Sequence, residues 1–226
     1  MRYGKGLVPV RQLKERRLAR LRGIYAIVDE SAARRPLDLV GAFLRGGVRI
    51  VQLRLKTLPV RALLSIARDA AAMCRQRDAL LLVNDRADVA RAADADGVHV
   101  GQEDFPVAAA RQVVGEDAIV GVSTHSDPEI DSGVAAGADY LGFGPVFETR
   151  SKPGAPLPPP HGLAGLERAV RRARPVPIVA IGGITQASAP AIARAGAACA
   201  AAIGELCHAT DPEAAARALQ EAFDRG

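Results

Sequence analysis

The chain has 226 residues, 49% of them hydrophobic and 24% charged, with a formal net charge of +5, the balance of one globular domain with a sizeable core. Aromatic residues are only 4% and do not interleave with the scattered arginines, which argues against nucleic acid as a partner and leaves small anionic ligands as the use for the cationic surplus. Cys74, Cys199 and Cys207 show no C-x-x-C spacing, which argues against a disulfide framework or a cysteine zinc site; no apolar run approaches the roughly 18 residues of a membrane span, and Met1–Arg22 lacks the apolar segment of a secretory signal, so a cytoplasmic protein with no membrane partner is expected.

Residues 1–22 read as a basic extension, in which Arg11–Leu18 is either a short amphipathic helix or a solvated segment packed loosely on the base of a domain spanning 23–226. Ile24–Val28 is the first predicted strand and Leu37–Arg45 the first long helix; Arg49–Leu53 is the second strand. Leu58–Arg75 is a helix with Val60, Leu63, Leu64, Ala67, Ala71 and Cys74 on one face, with Thr57 as its cap and Pro59 in its first turn. Ala79–Val83, Gly97–Val100, Ala118–Val122 and Tyr140–Phe143 are strands, with helices at Arg86–Ala92, Val107–Val114 and after the Asp127-Pro128 cap. A long segment, Phe147–Gly162, carries five prolines, the pattern of a lid, a binding loop or a mobile segment. Leu163–Ala173 is a helix, Ile178–Ile181 a strand, Gln186–Ala195 a helix and Ala198–Ile203 a last strand poor in β-branched residues; Asp211-Pro212 opens a helix ending near Phe223.

Apolar strands alternating with helices predict a parallel sheet buried on both faces, and eight such units predict an α/β fold, a single (β/α)8 TIM barrel. An open doubly wound sheet would call for a G-x-G-x-x-G after the first strand, which Ile24–Glu30 does not contain.

Active sites of such barrels sit where the strands end, so the polar residues there are the candidates. Gln52, Arg54 and Lys56 share one strand parity while Val51, Leu53 and Leu55 share the other, which sends the polar set into the barrel mouth, where two cations call for an anion or for paired carboxylates. Asp85 and Asp104, after the third and fourth strands, are a candidate pair for one Mg²⁺, with Glu103 the rival to Asp104; both also suit helix caps. Ser123 and His125 end the fifth strand, suited to a polar heterocycle. Thr149, Arg150, Ser151 and Lys152 suit a phosphate or diphosphate. Gly182-Gly183 before a helix, and Gly204 after the last strand, offer backbone amides to an anion.

Taken in order, Gln52–Lys56, Asn84-Asp85, His99–Asp104, Gly121–His125, Gly142–Phe147, Thr149–Lys152 and Ile181–Thr185 resemble the thiamine-phosphate synthase family over about Ile24–Ile203. The resemblance implies a transferase of thiamine biosynthesis that joins hydroxymethylpyrimidine diphosphate to a thiazole phosphate and releases diphosphate, through a pyrimidine carbocation-like species. It implies Mg²⁺ on Asp85 and Asp104. Arg54, Lys56, Asn84 and Lys152 grip the diphosphate with Gln52 and Ser123 nearby, and Lys152, Arg54 and Ser123 act in the chemical step. Thr149, Arg150, Ser151, Gly182, Gly183, Ile203 and Gly204 hold the thiazole phosphate. The partners are two phosphorylated small molecules, and a homo-oligomer is compatible with the pattern. Gly204-Glu205 departs from the Ser-Ala usual in the family, and a carboxylate there repels phosphate unless it turns away. The alternatives are a thiazole tautomerase, with His125 as proton shuttle and no need of the aspartate pair, and a non-catalytic barrel that binds thiamine precursors.

Overall fold

The computed structural model describes residues 10–149 and 159–226. Eight parallel strands close in sequence order into a barrel. In chain order the elements are α1 (Val10–Ala19), β1 (Gly23–Asp29), α2 (Pro36–Arg45), β2 (Ile50–Arg54), α3 (Val60–Gln76), β3 (Leu80–Asn84), α4 (Ala87–Ala92), β4 (Gly97–Val100), α5 (Val107–Val114), β5 (Ile119–Thr124), α6 (Asp127–Ala135), β6 (Tyr140–Phe143), α7 (Gly162–Ala173), β7 (Ile178–Ile181), α8 (Ala189–Arg194), β8 (Cys199–Ala202), α9 (Gly204–Cys207) and α10 (Pro212–Asp224). No helix among the described residues is long and apolar enough to cross a membrane.

The strands are continuous apolar runs because both their faces are covered: β1, for example, is buried at every residue. One face meets the helices, the other fills the barrel. The alanine-rich β8 is a strand through its neighbours rather than its propensity, pairing Cys199 with Gly23 of β1 and with Val179 of β7.

Several helix starts differ from the sequence reading. Pro59, not Thr57, occupies the N-cap of α3; Thr57 instead gives its amide and hydroxyl to Glu30 Oε2, both at 2.8 Å. Ser126 rather than Asp127 caps α6. α8 begins at Ala189 and not at Gln186, because Thr185 and Ser188 bond each other's amides through their hydroxyls and divert the chain into a turn. The Gly182-Gly183 amides are therefore not at a long helix's first turn. α9, absent from the sequence reading, supplies a short helical turn directly after β8, in the place where this fold often puts an anion site.

The basic segment is also more than a solvated extension. Helix α1 is bound to the strand-starting end of the barrel, where Asp78, Asp96, Asp117 and Asp139 precede β3, β4, β5 and β6. Lys14 reaches Asp139 at 2.7 Å, Arg17 reaches Asp96 at 2.9 Å and Asp117 at 3.1 Å, and Arg20 reaches Asp78 at 2.8 Å. Asp96 and Asp139 also accept the amides of Leu81 and Val120, so Arg17 at Asp96 and Lys14 at Asp139 each complete a carboxylate that already ties strands together. Arg17→Ala is expected to destabilise the fold by about 1–3 kcal/mol, the cost of stripping hydrogen bonds from partly buried charged partners, with catalytic constants unchanged at the opposite end of the barrel. Chemical denaturation and steady-state rates on one preparation check both halves.

Candidate active site

Strand parity builds the site. Tyr25 and Ile27 of β1, Gln52 and Arg54 of β2, Asn84 of β3, His99 of β4, Ser123 of β5, Tyr140 and Gly142 of β6, and Val179 and Ile181 of β7 all line one cavity of about 390 Å³ at the barrel mouth. Such a volume takes small-molecule ligands. Of the residues singled out in the sequence, Gln52, Arg54, Lys56, Asn84, Asp85, Asp104, Ser123, His125, Thr149, Gly182, Gly183, Ile203 and Gly204 border this same cavity. Arg150, Ser151 and Lys152 lie outside the described residues. Glu103 is exposed and does not border it, which favours Asp104 as the partner of Asp85.

The two cations of β2's end face the cavity and are also paired. The Arg54 guanidinium bonds the Asp29 carboxylate, which is only 4% exposed. Burial pushes Asp29 up, but hydrogen bonds from Ser31 and the Arg54 charge outweigh it, so its pKa falls below the ordinary carboxylate value. Lys56 Nζ sits 2.9 Å from Asp85 Oδ2. The ion-pairing reading of this strand end is thus realised, with both cations still bordering the cavity.

Asp85 stands at a left-handed backbone position, φ 61°, with its amide bonded to His99 O at 2.8 Å; this turn aims its side chain over the mouth. Asp104 Oδ2 accepts the Gly101 amide at 2.8 Å. Burial first, and the neighbouring Asp104 carboxylate second, raise the pKa of Asp85 against the opposing pull of Lys56. A carboxylate whose ionisation burial and a neighbouring carboxylate disfavour marks a place where a divalent cation is stabilising. Among the described residues no cluster of three or more His, Cys, Asp or Glu side chains is set to hold a metal. A two-carboxylate site fits Mg²⁺, which keeps waters and takes substrate phosphate oxygens for the rest of its shell. Beside them, Asn84 Nδ2 is buried without a hydrogen-bond partner, a donor whose desolvation a ligand oxygen would offset.

On the opposite side of the mouth, Gly183 has φ 63°, and a Cβ there would lie 2.3 Å from Glu148 O. Glycine is required first because the segment after β6 packs on the β7 turn, with the Phe147 amide bonding Gly182 O at 3.0 Å. Gly182 and Gly183 border the cavity together with Gly204 at the start of α9. Glu205 turns toward the loop after β7 and accepts the Gln186 amide at 3.2 Å. That satisfies its carboxylate locally, although it still borders the cavity. His125 donates from Nδ1 to Gly144 O at 2.5 Å and gives its amide to Glu129 Oε2 at 2.6 Å, so it ties the end of β5 to that of β6.

Of the interior floor of the cavity, only its two ends, Gln52 and Ser123, were singled out in the sequence. Gln52 Nε2 donates to the Tyr25 hydroxyl at 2.7 Å, Tyr25 and Tyr140 hydroxyls are 2.8 Å apart, His99 Nδ1 is 2.7 Å from Tyr140, and His99 Nε2 is 2.9 Å from Ser123 Oγ. Gly121 makes room for this row: a Cβ there would be 2.0 Å from Tyr140 Cζ. The signal available in the sequence was parity alone, since Tyr25 and Asp29 alternate with outward apolar residues of β1 as Gln52 and Arg54 do in β2.

Comparison with known proteins bears on this site. A family model described as thiamine monophosphate synthase matches residues 24–206. The chain is 48% identical over 211 residues to the thiamine-phosphate synthase of Anaeromyxobacter dehalogenans, covering 93% of this chain and 91% of that protein. It is 46% identical over 196 residues to the one from Chlorobium luteolum, covering 87% and 90%. Among solved structures, a thiamine phosphate pyrophosphorylase from Pyrococcus furiosus superposes with a TM-score of 0.83 at 34% identity, covering 92% of this chain and 98% of that one.

Proposed function

The chain belongs to the thiamine monophosphate synthase family, and from that membership we propose how its rim joins hydroxymethylpyrimidine diphosphate to a thiazole phosphate with release of diphosphate. The observation that carries the reading is convergence: cations, two mutually repelling carboxylates and a buried unpartnered amide donor border one cavity together with the amide-rich turns after β7 and β8.

Asp85 and Asp104 would hold Mg²⁺, which when bound supplies positive charge against the departing diphosphate. Arg54, Lys56 and Asn84 Nδ2 bind the diphosphate oxygens, and the family resemblance adds Lys152, which lies outside the described residues, to the grip. The bond between the pyrimidine methylene carbon and the diphosphate oxygen breaks with its electron pair leaving on oxygen. The thiazole nitrogen lone pair forms the new carbon–nitrogen bond, and the positive charge ends on the thiazolium. No protein nucleophile and no net proton transfer are needed, so the side chains act by stabilising the leaving charge and aligning the two rings. Gln52 and Ser123 orient the pyrimidine. Thr149, Arg150, Ser151, Gly182, Gly183, Ile203 and Gly204 hold the thiazole phosphate, with Glu205 kept off it by the Gln186 amide. The paired aspartates, which a thiazole tautomerase has no use for, favour the transferase.

The direct test mixes both substrates with enzyme and Mg²⁺ and follows diphosphate and thiamine phosphate. Stoichiometric appearance of both, lost on chelation, is the expected result. Absence of both products overturns the proposal, and conversion of the thiazole phosphate alone would mark an isomerase.

A further inference from the structure

We propose that the groups between Gln52 and Ser123 form a one-way hydrogen-bond relay that holds His99 as its Nε2–H tautomer and makes the Ser123 hydroxyl a fixed donor toward a lone pair of the bound heterocycle. Tyr25, Tyr140 and His99 are then positioning residues for that contact. Only the identity of the heterocycle, a pyrimidine, rests on the function proposed above.

The direction follows from what each group is able to give. A primary amide nitrogen only donates, so the Tyr25 hydroxyl accepts from Gln52 Nε2. Tyr25 is 1% exposed, and the Tyr140 oxygen at 2.8 Å receives its proton. Tyr140 is fully buried in turn, and its proton goes to His99 Nδ1 at 2.7 Å. A neutral imidazole that accepts at Nδ1 carries its hydrogen at Nε2, which is the atom 2.9 Å from Ser123 Oγ. Ser123 therefore accepts from His99, and its one hydrogen is left to point into the cavity it borders. With the opposite direction the Tyr25 proton would face the Gln52 amide hydrogens, two buried donors against each other. Burial pushes both phenols above their ordinary pKa, so both keep the proton the relay needs. Stacking of His99 on Tyr140, 5.4 Å between ring centres, holds the ring in the plane that serves both contacts.

The consequence is selection by polarity. A ring that presents a nitrogen lone pair to Ser123 is held, and one that presents N–H there meets a hydroxyl whose hydrogen is already turned toward it.

Gln52→Glu reverses the relay at its head. A carboxylate accepts from Tyr25, so each hydroxyl turns round, His99 must donate from Nδ1, and Ser123 donates to Nε2. Long-range proton–nitrogen correlation spectra of full-length protein carrying ¹⁵N-histidine read the tautomer directly, with His99→Gln identifying the resonance. The expected result is Nε2–H in the parent and Nδ1–H in Gln52→Glu. An Nδ1–H form in the parent, or an unchanged tautomer in a folded Gln52→Glu, overturns the relay. Should that variant fail to fold, Tyr140→Phe cuts the chain in the middle. It is expected to raise KM for the pyrimidine substrate about tenfold, the effect of one lost hydrogen bond, with KM for the thiazole unmoved; equal changes in both overturn the positioning role. The spectra need no substrate, so a barrel that failed the coupling assay yet showed the Nε2–H form would reject the proposed function and leave the relay standing.

Discussion

Asp85→Asn is expected to lower Mg²⁺-dependent turnover about 10²–10³-fold, as removal of one group that stabilises transition-state charge does, while leaving the protein as stable as the parent or more so. The substitution keeps the side chain's shape and suits the left-handed backbone at φ 61°, which asparagine adopts readily. Burial and Asp104 raise the pKa of Asp85. A carboxyl whose folded pKa lies above its unfolded value costs stability as pH rises through that interval, and the cost persists at neutral pH. Asparagine removes it. Lys56 loses its partner, but its side chain is 46% exposed and water replaces the carboxylate. Thermal unfolding with and without Mg²⁺ separates the effects. The parent should gain melting temperature as the cation binds the folded state, and the variant should start equal or higher and gain little. A variant that keeps full Mg²⁺-dependent turnover would remove Asp85 from the metal site.

Arg54→Met is expected to be the most damaging change at the rim, because one side chain serves both fold and chemistry. Its guanidinium faces the cavity and neutralises Asp29, which is 4% exposed. Removing it strands a buried carboxylate, at a cost of about 3–5 kcal/mol. The pH dependence identifies the cause. In the parent, the lowered pKa of Asp29 contributes stability that is fully present above the ordinary carboxylate value and disappears as pH falls through the folded one. The parent's advantage over Arg54→Met should therefore be largest near neutral pH and narrow below about pH 4, the carboxylate range. Denaturant titrations across that interval check it. Turnover by the folded fraction should also fall, by about 10²-fold or more for loss of a cation at the leaving group, and the double change Asp29→Asn with Arg54→Met should recover stability without recovering rate.

The barrel and most of its rim were legible in the sequence because both depend on short periods. Alternation along Gln52–Lys56 sends alternate residues to opposite faces of a strand, and the ends of eight apolar runs mark the eight places where a parallel barrel opens to ligand. The start of α8 was misplaced because the mutual hydroxyl contacts of Thr185 and Ser188 outcompete a helical turn, and α9 was missed because four residues carry no period at all. Tyr25 and Tyr140 entered the sequence reading only as members of their strands; their hydroxyls meet across 115 positions of chain.

What the amino-acid order determined alone was therefore set by neighbours two to four residues apart: eight strand–helix units, the parity of Gln52–Lys56, and polar residues or glycines at the ends of strands two to eight. Tertiary structure decided which of those residues meet. Parallel pairing of neighbouring strands brings their ends side by side, so Arg54 finds Asp29 across the β1–β2 register, Lys56 finds Asp85, Asp85 feels Asp104, and α1 reaches the aspartates under the barrel. Charge pairing and hydrogen bonding act over a few ångströms of space, whereas the spacing of residues along a chain records only the local part of that distance.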